Sequence, residues 1–166
     1  MTNSDQFWMV GDPRVSGAAV DSTGSDPAST ALQAWQAALP AGPAALNAVT
    51  ASMTGEFAVG LLDAVHRRGF LAVDRFAVRS LCYRIEDGQL RFAERADELA
   101  GPGAALEPQA LFNYLFFHCI PSPLTIFQGV YRLPPGHSGW FENGQITVHP
   151  FWVPSFNDPN DAVSFG

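Results

Sequence analysis

Two uninterrupted apolar stretches, Phe57 to Leu62 and Gly69 to Val73, stand a short turn apart, with Arg67-Arg68 in the turn. Successive side chains of a strand point to opposite sides of its sheet. A strand that is apolar at every position therefore has both faces covered. Two such runs joined by a turn predict a buried hairpin.

The surrounding sequence supplies elements to cover it. Phe7 to Val10 predicts a short strand, and Val15 to Val20 a second one weakened by Gly17. Asp26 followed by Pro27 is a helix start: the carboxylate caps the first amides, and proline's missing N–H costs nothing there. Ala28, Ala31, Leu32, Trp35 and Leu39 then share one face at helical spacing, and a second short helix covers Ala44 to Ser52. Leu81 to Arg84 and Gln89 to Phe92 pair across Glu86-Asp87-Gly88, which with the first hairpin predicts a central meander of four strands. After a short helix over Glu94 to Ala100, Pro108 opens a helix to about His118 that is apolar almost all round. Such a helix is expected to pack into the core or against a partner, with Phe112, Leu115 and Phe116 on the core-facing side. Phe127 to Leu133 and His137 to Phe141 predict strands, and Asn143-Gly144 a hairpin turn into Gln145 to His149. Pattern alone gives an α+β fold with an antiparallel sheet. The polar stretch from 157 to 166 reads as a linker or tail after a domain of residues 1–156.

Composition removes several chemistries. All nine basic residues are arginine, so no lysine is present to grip a nucleotide phosphate or form a Schiff base. A net charge of −7 without a basic stripe argues against nucleic acid. No apolar run reaches the ~20 residues of a membrane span, and no signal peptide is visible; a soluble cytoplasmic protein is expected. Two cysteines, Cys82 and Cys119, make no disulfide framework, and with His118 they give no zinc-ligand spacing. No metal and no cofactor are expected for this chain.

Four segments, taken in order, resemble the N-terminal half of asparagine synthetases. Gly55 to Val59 with Asp63 resembles that family's G-x-F-A-F-A-L-x-D strand. Val73 to Tyr83 resembles R-D-R-F-G-I-K-P-L-Y-Y, and Gly88 to Glu94 resembles G-x-L-x-F-A-S-E. Thr125 to His137 resembles T-x-F-x-G-V-x-x-L-P-P-G-H, with Phe151-Trp152 close to the domain end. The resemblance spans about Asp26 to Trp152. It implies a class II glutamine amidotransferase domain with an N-terminal-nucleophile hydrolase fold: two antiparallel sheets packed face to face, with flanking helices, here shortened.

The departures from that pattern concern the chemistry. The active family exposes a cysteine after the initiator methionine; its thiolate attacks the glutamine amide and its free α-amine, with a pKa near ~8, serves as base. Thr2 stands there in this chain. Threonine is a nucleophile type when terminal, but Thr2 precedes the first strand by several residues. The R-H-R-G-P and N-G-E-x-Y-N segments are not found, and Asn143-Gly144 is a hairpin turn rather than a substitute. No catalytic residue is therefore assigned. Gly24-Ser25-Asp26 matches the family's G-S-D, whose aspartate holds the glutamine amino group, so Asp26 is a vestigial substrate-binding candidate beside its plainer reading as a helix cap. Asp74 and Arg75 read as a structural turn, His137 as a turn-ordering residue, and His66-Arg67-Arg68 as a solvated tip.

The resemblance implies a non-hydrolysing glutaminase-like domain, a structural or interaction module for an ATP-dependent, amide-forming synthetase domain or subunit, with a homodimer as a further possibility. The alternative is a part of an active amide ligase, asparagine synthetase-like or lasso-cyclase-like, that uses ammonia or another amine.

Overall fold

The two apolar runs form β4 (Phe57–Asp63) and β5 (Arg68–Val73), paired antiparallel as predicted. The computed structural model describes residues 6–16 and 26–155; the 157–166 tail, Thr2, Gly24, Ser25 and most of the strand expected over Val15 to Val20 lie outside them. Along β4 and β5 alternate side chains enter two different cores. Phe57, Val59, Leu61, Phe70 and Ala72 face one way, and Ala58, Leu71 and Val73 the other. Each residue is buried because both sides of the sheet are occupied.

Three further strands complete this sheet: β1 (Gln6–Gly11), β9 (His137–Glu142) and β10 (Gln145–Pro150), in the order β1-β4-β5-β9-β10. Asn143 and Gly144 both have positive φ in the β9–β10 turn, at 54° and 78°, as a tight hairpin requires. A second, three-stranded sheet lies over one face, built from β6 (Cys82–Glu86), β7 (Gln89–Ala93) and β8 (Tyr131–Arg132) in the order β7-β6-β8. Leu81, Tyr83, Leu90 and Leu133 from this layer meet Ala58, Leu71, Val73 and Phe141 of the large sheet. The approach is close: a Cβ on Gly60 would stand 2.3 Å from the Phe92 ring. Only glycine leaves that space open on β4.

The other face carries α1 (Pro27–Ala38) and α2 (Pro43–Ala51), joined by one 3₁₀ turn, Leu39–Ala41. Ala31, Trp35, Leu39 and Leu46 pack onto the sheet. The indole of Trp35 donates to Thr50 at 3.0 Å, and the Thr50 hydroxyl donates to the Leu46 carbonyl at 2.7 Å, so the buried polar atoms between the helices are paired. A two-stranded ribbon of β2 (Arg14–Val15) and β3 (Met53–Thr54) closes the ends of this layer. The antiparallel α+β arrangement of two face-to-face sheets with helices outside is the one expected.

Three expectations are corrected. The two central hairpins do not form one meander: β5 pairs with β9, and β6–β7 belongs to the second sheet. The chain changes layer in the loop from Asp74 to Leu81. The strand expected over Phe127 to Leu133 shrinks to Tyr131–Arg132, because Thr125 folds the segment back on itself, its hydroxyl donating to Val130 O at 2.7 Å. The helix after Pro108, α3 being Ala96–Ala100 and α4 Pro108–Phe117, does not enter the core. Phe112, Leu115 and Phe116 are 59%, 76% and 70% exposed, and Ala110 is its buried residue. At 100° per residue Ala110 stands opposite those three, so the small residue faces the body and the large ones face outward.

The layer-crossing loop hangs on Asp74. Its buried carboxylate accepts four backbone N–H groups: Phe57 at 3.2 Å, Phe76 at 2.9 Å, Val78 at 3.2 Å and Arg79 at 3.2 Å. Its carbonyl also accepts from Ala77 and Gly136. Asp74→Ala leaves those amides without an acceptor, and each unsatisfied buried group costs roughly 1–3 kcal/mol. A loss of at least ~3 kcal/mol is expected in urea denaturation. Gly60→Val is expected to cost about 1–3 kcal/mol by displacing Phe92, measured the same way.

Candidate functional site

A cleft of about 540 Å³ opens at one end of the sheet sandwich. Strand register builds it. Gln6 stands opposite Leu62 in the β1–β4 pair, Leu62 opposite Gly69, and Gly69 opposite Phe141, so the same end of every central strand borders the opening. The β6–β7 turn at Gly88 and Gln89 and the end of α3 at Glu98 and Leu99 form the facing wall. Leu62, Leu90, Phe92 and Phe141 make its apolar floor.

Charge of both signs rings this floor. Asp63 is the best-held group. Arg68 Nη2 donates to its carboxylate at 2.9 Å, the His66 amide donates at 2.9 Å, and His66 Nδ1 lies 2.8 Å from it. Burial pushes the Asp63 carboxyl up, but the hydrogen bonds from His66 and Arg68 together outweigh it and hold the group at about 2. Arg68 also lies over the Trp140 ring, 5.9 Å from its centroid. Arg91 pairs with Glu86 at 3.1 Å. Arg67 takes a left-handed backbone with φ 53° and makes no ion pair among the described residues. The lining can offer carboxylate, guanidinium and carboxamide groups to a small polar molecule. It contains no cysteine, serine, threonine, lysine or histidine among the described residues, so it offers no thiol, hydroxyl, amine or imidazole there.

The residues singled out from sequence lie elsewhere. Asp26 caps α1, accepting from Ala28 N at 3.4 Å and Ser29 N at 3.3 Å, and it does not line the cleft. Asp74 is consumed by the backbone amides described above. The Arg75 guanidinium lies 5.9 Å from the centroid of the Trp152 ring, well away from the cleft lining. His137 Nδ1 donates to the Pro135 carbonyl at 2.7 Å, ordering the turn as expected. Cys82 is buried on β6, and burial pushes its thiol up, with the neighbouring Arg132 opposing the rise. A thiol in that state is a poor nucleophile at neutral pH. Cys119 is exposed beyond the end of α4, where His118 adopts the left-handed cap conformation. Among the described residues no three potential metal ligands gather, and no helix is long and apolar enough to cross a membrane.

Sequence reading missed the cleft. Asp63 was visible as the last residue of a strand motif, but its closeness to Gln6 and Phe141 depends on pairings between distant strands. The usable signal was charge placed at the ends of fully apolar strands, at Asp63 and Arg68.

The sequence profile of the glutamine amidotransferase domain matches residues 39–152. Among solved structures, the chain is similar to the glutamine phosphoribosylpyrophosphate amidotransferase of B. subtilis complexed with ADP and GMP, at 11% identity and a TM-score of 0.47. That alignment covers 95% of this chain and 31% of the other. A structure described as the allosteric regulatory enzyme of purine biosynthesis aligns at 10% identity and a TM-score of 0.48, over 95% of this chain and 30% of the other. The chain thus spans about a third of the length of these two structures. A stage II sporulation E family protein of Thermanaerovibrio acidaminovorans aligns at 15% identity and a TM-score of 0.28, over 82% of this chain and 73% of the other. No curated protein matches.

The Asp63 cluster has a definite pH signature. Its folded pKa of about 2 lies below the ordinary 3.8, so its contribution is full above pH 4 and is lost as pH falls through 2. Parent and Asp63→Asn are therefore expected to differ in stability at pH 6 and to converge between about pH 4 and pH 2. Thermal melts across that range test it.

Proposed function

Because the chain belongs to the glutamine amidotransferase domain family, we propose that it is a glutaminase-like domain of an asparagine synthetase-related protein that does not itself hydrolyse glutamine. The observation that carries this reading is the chemistry of the cleft. Its position at the strand ends, including the start of β1, suits a small polar ligand, and its mixed charge suits a zwitterion. Yet no thiol or hydroxyl lines it among the described residues. Of the two cysteines, one is buried with its thiol pushed up and the other is exposed past the end of α4, and neither lines the cleft.

On this reading the domain serves as a structural or interaction module in the cytoplasm, and its partner is an ATP-dependent, amide-forming synthetase domain or subunit. The adenylating chemistry belongs to that partner, and this chain takes no cofactor of its own.

Purified protein incubated with glutamine is expected to release neither ammonia nor glutamate above the enzyme-free rate. Turnover that disappears in Cys82→Ala, Cys119→Ala or Thr2→Ala would overturn the reading and identify the nucleophile.

A further inference from the structure

We infer that the cleft at the strand ends binds a small organic dianion, held by Arg67 of the β4–β5 turn and Arg91 of β7. The inference rests on the reading of this cleft as a ligand site, and it stands whether or not the domain hydrolyses glutamine.

The cleft carries charges of both signs, but they are unequally committed. Arg67, Arg68 and Arg91 line it against two carboxylates, Asp63 and Glu98, which leaves the lining net positive in a chain of net charge −7. Asp63 is already occupied. It accepts from Arg68 Nη2 and from the His66 amide, both at 2.9 Å, and His66 Nδ1 lies 2.8 Å from it. Glu98 acts on Arg95, one turn before it on α3.

Cations are in surplus on the facing wall. Arg84 and Arg91 stand directly opposite one another across β6 and β7, and like charges in that register repel. One carboxylate serves both: Glu86 lies 3.1 Å from Arg84 Nη2 and 3.1 Å from Arg91 Nε. Arg84 has a further acceptor in the Leu99 carbonyl at 2.7 Å. Arg91 has no other among the described residues, and its side chain is 61% exposed.

Arg67 is the second uncommitted cation. It makes no ion pair among the described residues, and its backbone holds φ 53°, a conformation that glycine and asparagine adopt more readily. The residues on either side of it, His66 and Arg68, are both bonded to Asp63. The turn is therefore fixed while the Arg67 guanidinium is left free at the cleft. A guanidinium matches the oxygens of a carboxylate or phosphate two at a time, so two of them on different elements suit a ligand with two negative charges. Gln6 and Gln89 add carboxamide donors to the lining. With the chain acidic on balance, a dianion is drawn to this cleft and repelled by the rest of the surface.

Calorimetry of the full chain at low salt tests this with succinate, inorganic phosphate and glutamine as probes. Succinate or phosphate is expected to bind with a dissociation constant of about 1 mM or tighter. The preference between the two tells a dicarboxylate ligand from a phosphate-bearing one. Glutamine, which has no net charge, is expected to bind about 10-fold more weakly or not at all. Arg67→Gln and Arg91→Gln are each expected to weaken anion binding about 10-fold or more. Their thermal melts should stay close to the parent's, since both side chains are exposed. Arg95→Gln removes an exposed guanidinium outside the lining and is expected to leave binding unchanged. No heat with either anion overturns the inference, and so does glutamine binding as tightly as the anions. Anion binding that survives either cleft substitution, or that falls equally in Arg95→Gln, overturns it as well. Ammonia release from glutamine would sink the non-hydrolysing reading alone, and a failure to bind anions would sink this one alone.

Discussion

One carboxylate holds the two halves of this molecule in register. Asp74 ends the central strand of the large sheet and accepts four backbone amides, one from the neighbouring strand β4 and three from the loop that leaves toward the small sheet. Its carbonyl receives Gly136 from the turn before β9. Backbone groups in a tight loop must find acceptors when they leave water. A single anionic side chain supplies them here, through charge-assisted bonds stronger than neutral ones. The sheets can then stack closely enough for Phe92 to occupy the space above Gly60, and the cleft exists because that stacking leaves the strand ends uncovered on one side.

The two outer layers differ in how completely they finish the sheet they cover. On the helical side, Trp35 and Phe57 meet at 5.2 Å, and Ser138 of β9 donates to Asn47 of α2 at 2.6 Å, so apolar and polar atoms both find partners. On the other side the small sheet covers the centre, and the larger residues of α4 are exposed. Among the described residues, the most apolar helix has its large side chains uncovered.

Local chemistry was the most legible part of the sequence. Asp26 and Pro27 marked the start of α1, and the structure shows the expected cap bonds. The apolar runs marked β4 and β5 because complete burial needs no knowledge of which layer covers which face. Partnership over long range was less legible. The sequence shows that Leu81 to Phe92 forms a hairpin, but not that it leaves the first sheet, since that depends on where the Asp74 loop directs the chain. Phe112, Leu115 and Phe116 mark an apolar surface without saying whether its cover comes from the same chain. The cleft was hidden for a related reason: Gln6, Asp63, Arg91 and Phe141 are scattered in sequence and meet only through cross-strand register. The family resemblance anticipated the amidotransferase domain, and residues 39–152 bear that out, whereas its finer placement among asparagine synthetases rests on the motifs themselves.

The large sheet also has two unlike borders. On one side β10 carries the polar residues Gln145, Thr147 and His149 and ends in Pro150, which has no N–H to offer an incoming strand. On the other, β1 runs Phe7-Trp8-Met9-Val10, with neither charge nor proline between Gln6 and Gly11. Among the described strands, β4 is its only neighbour. Polymerisation by strand addition, should the protein be concentrated or partly unfolded, is therefore polarised: growth begins at the β1 border and is resisted at the β10 border.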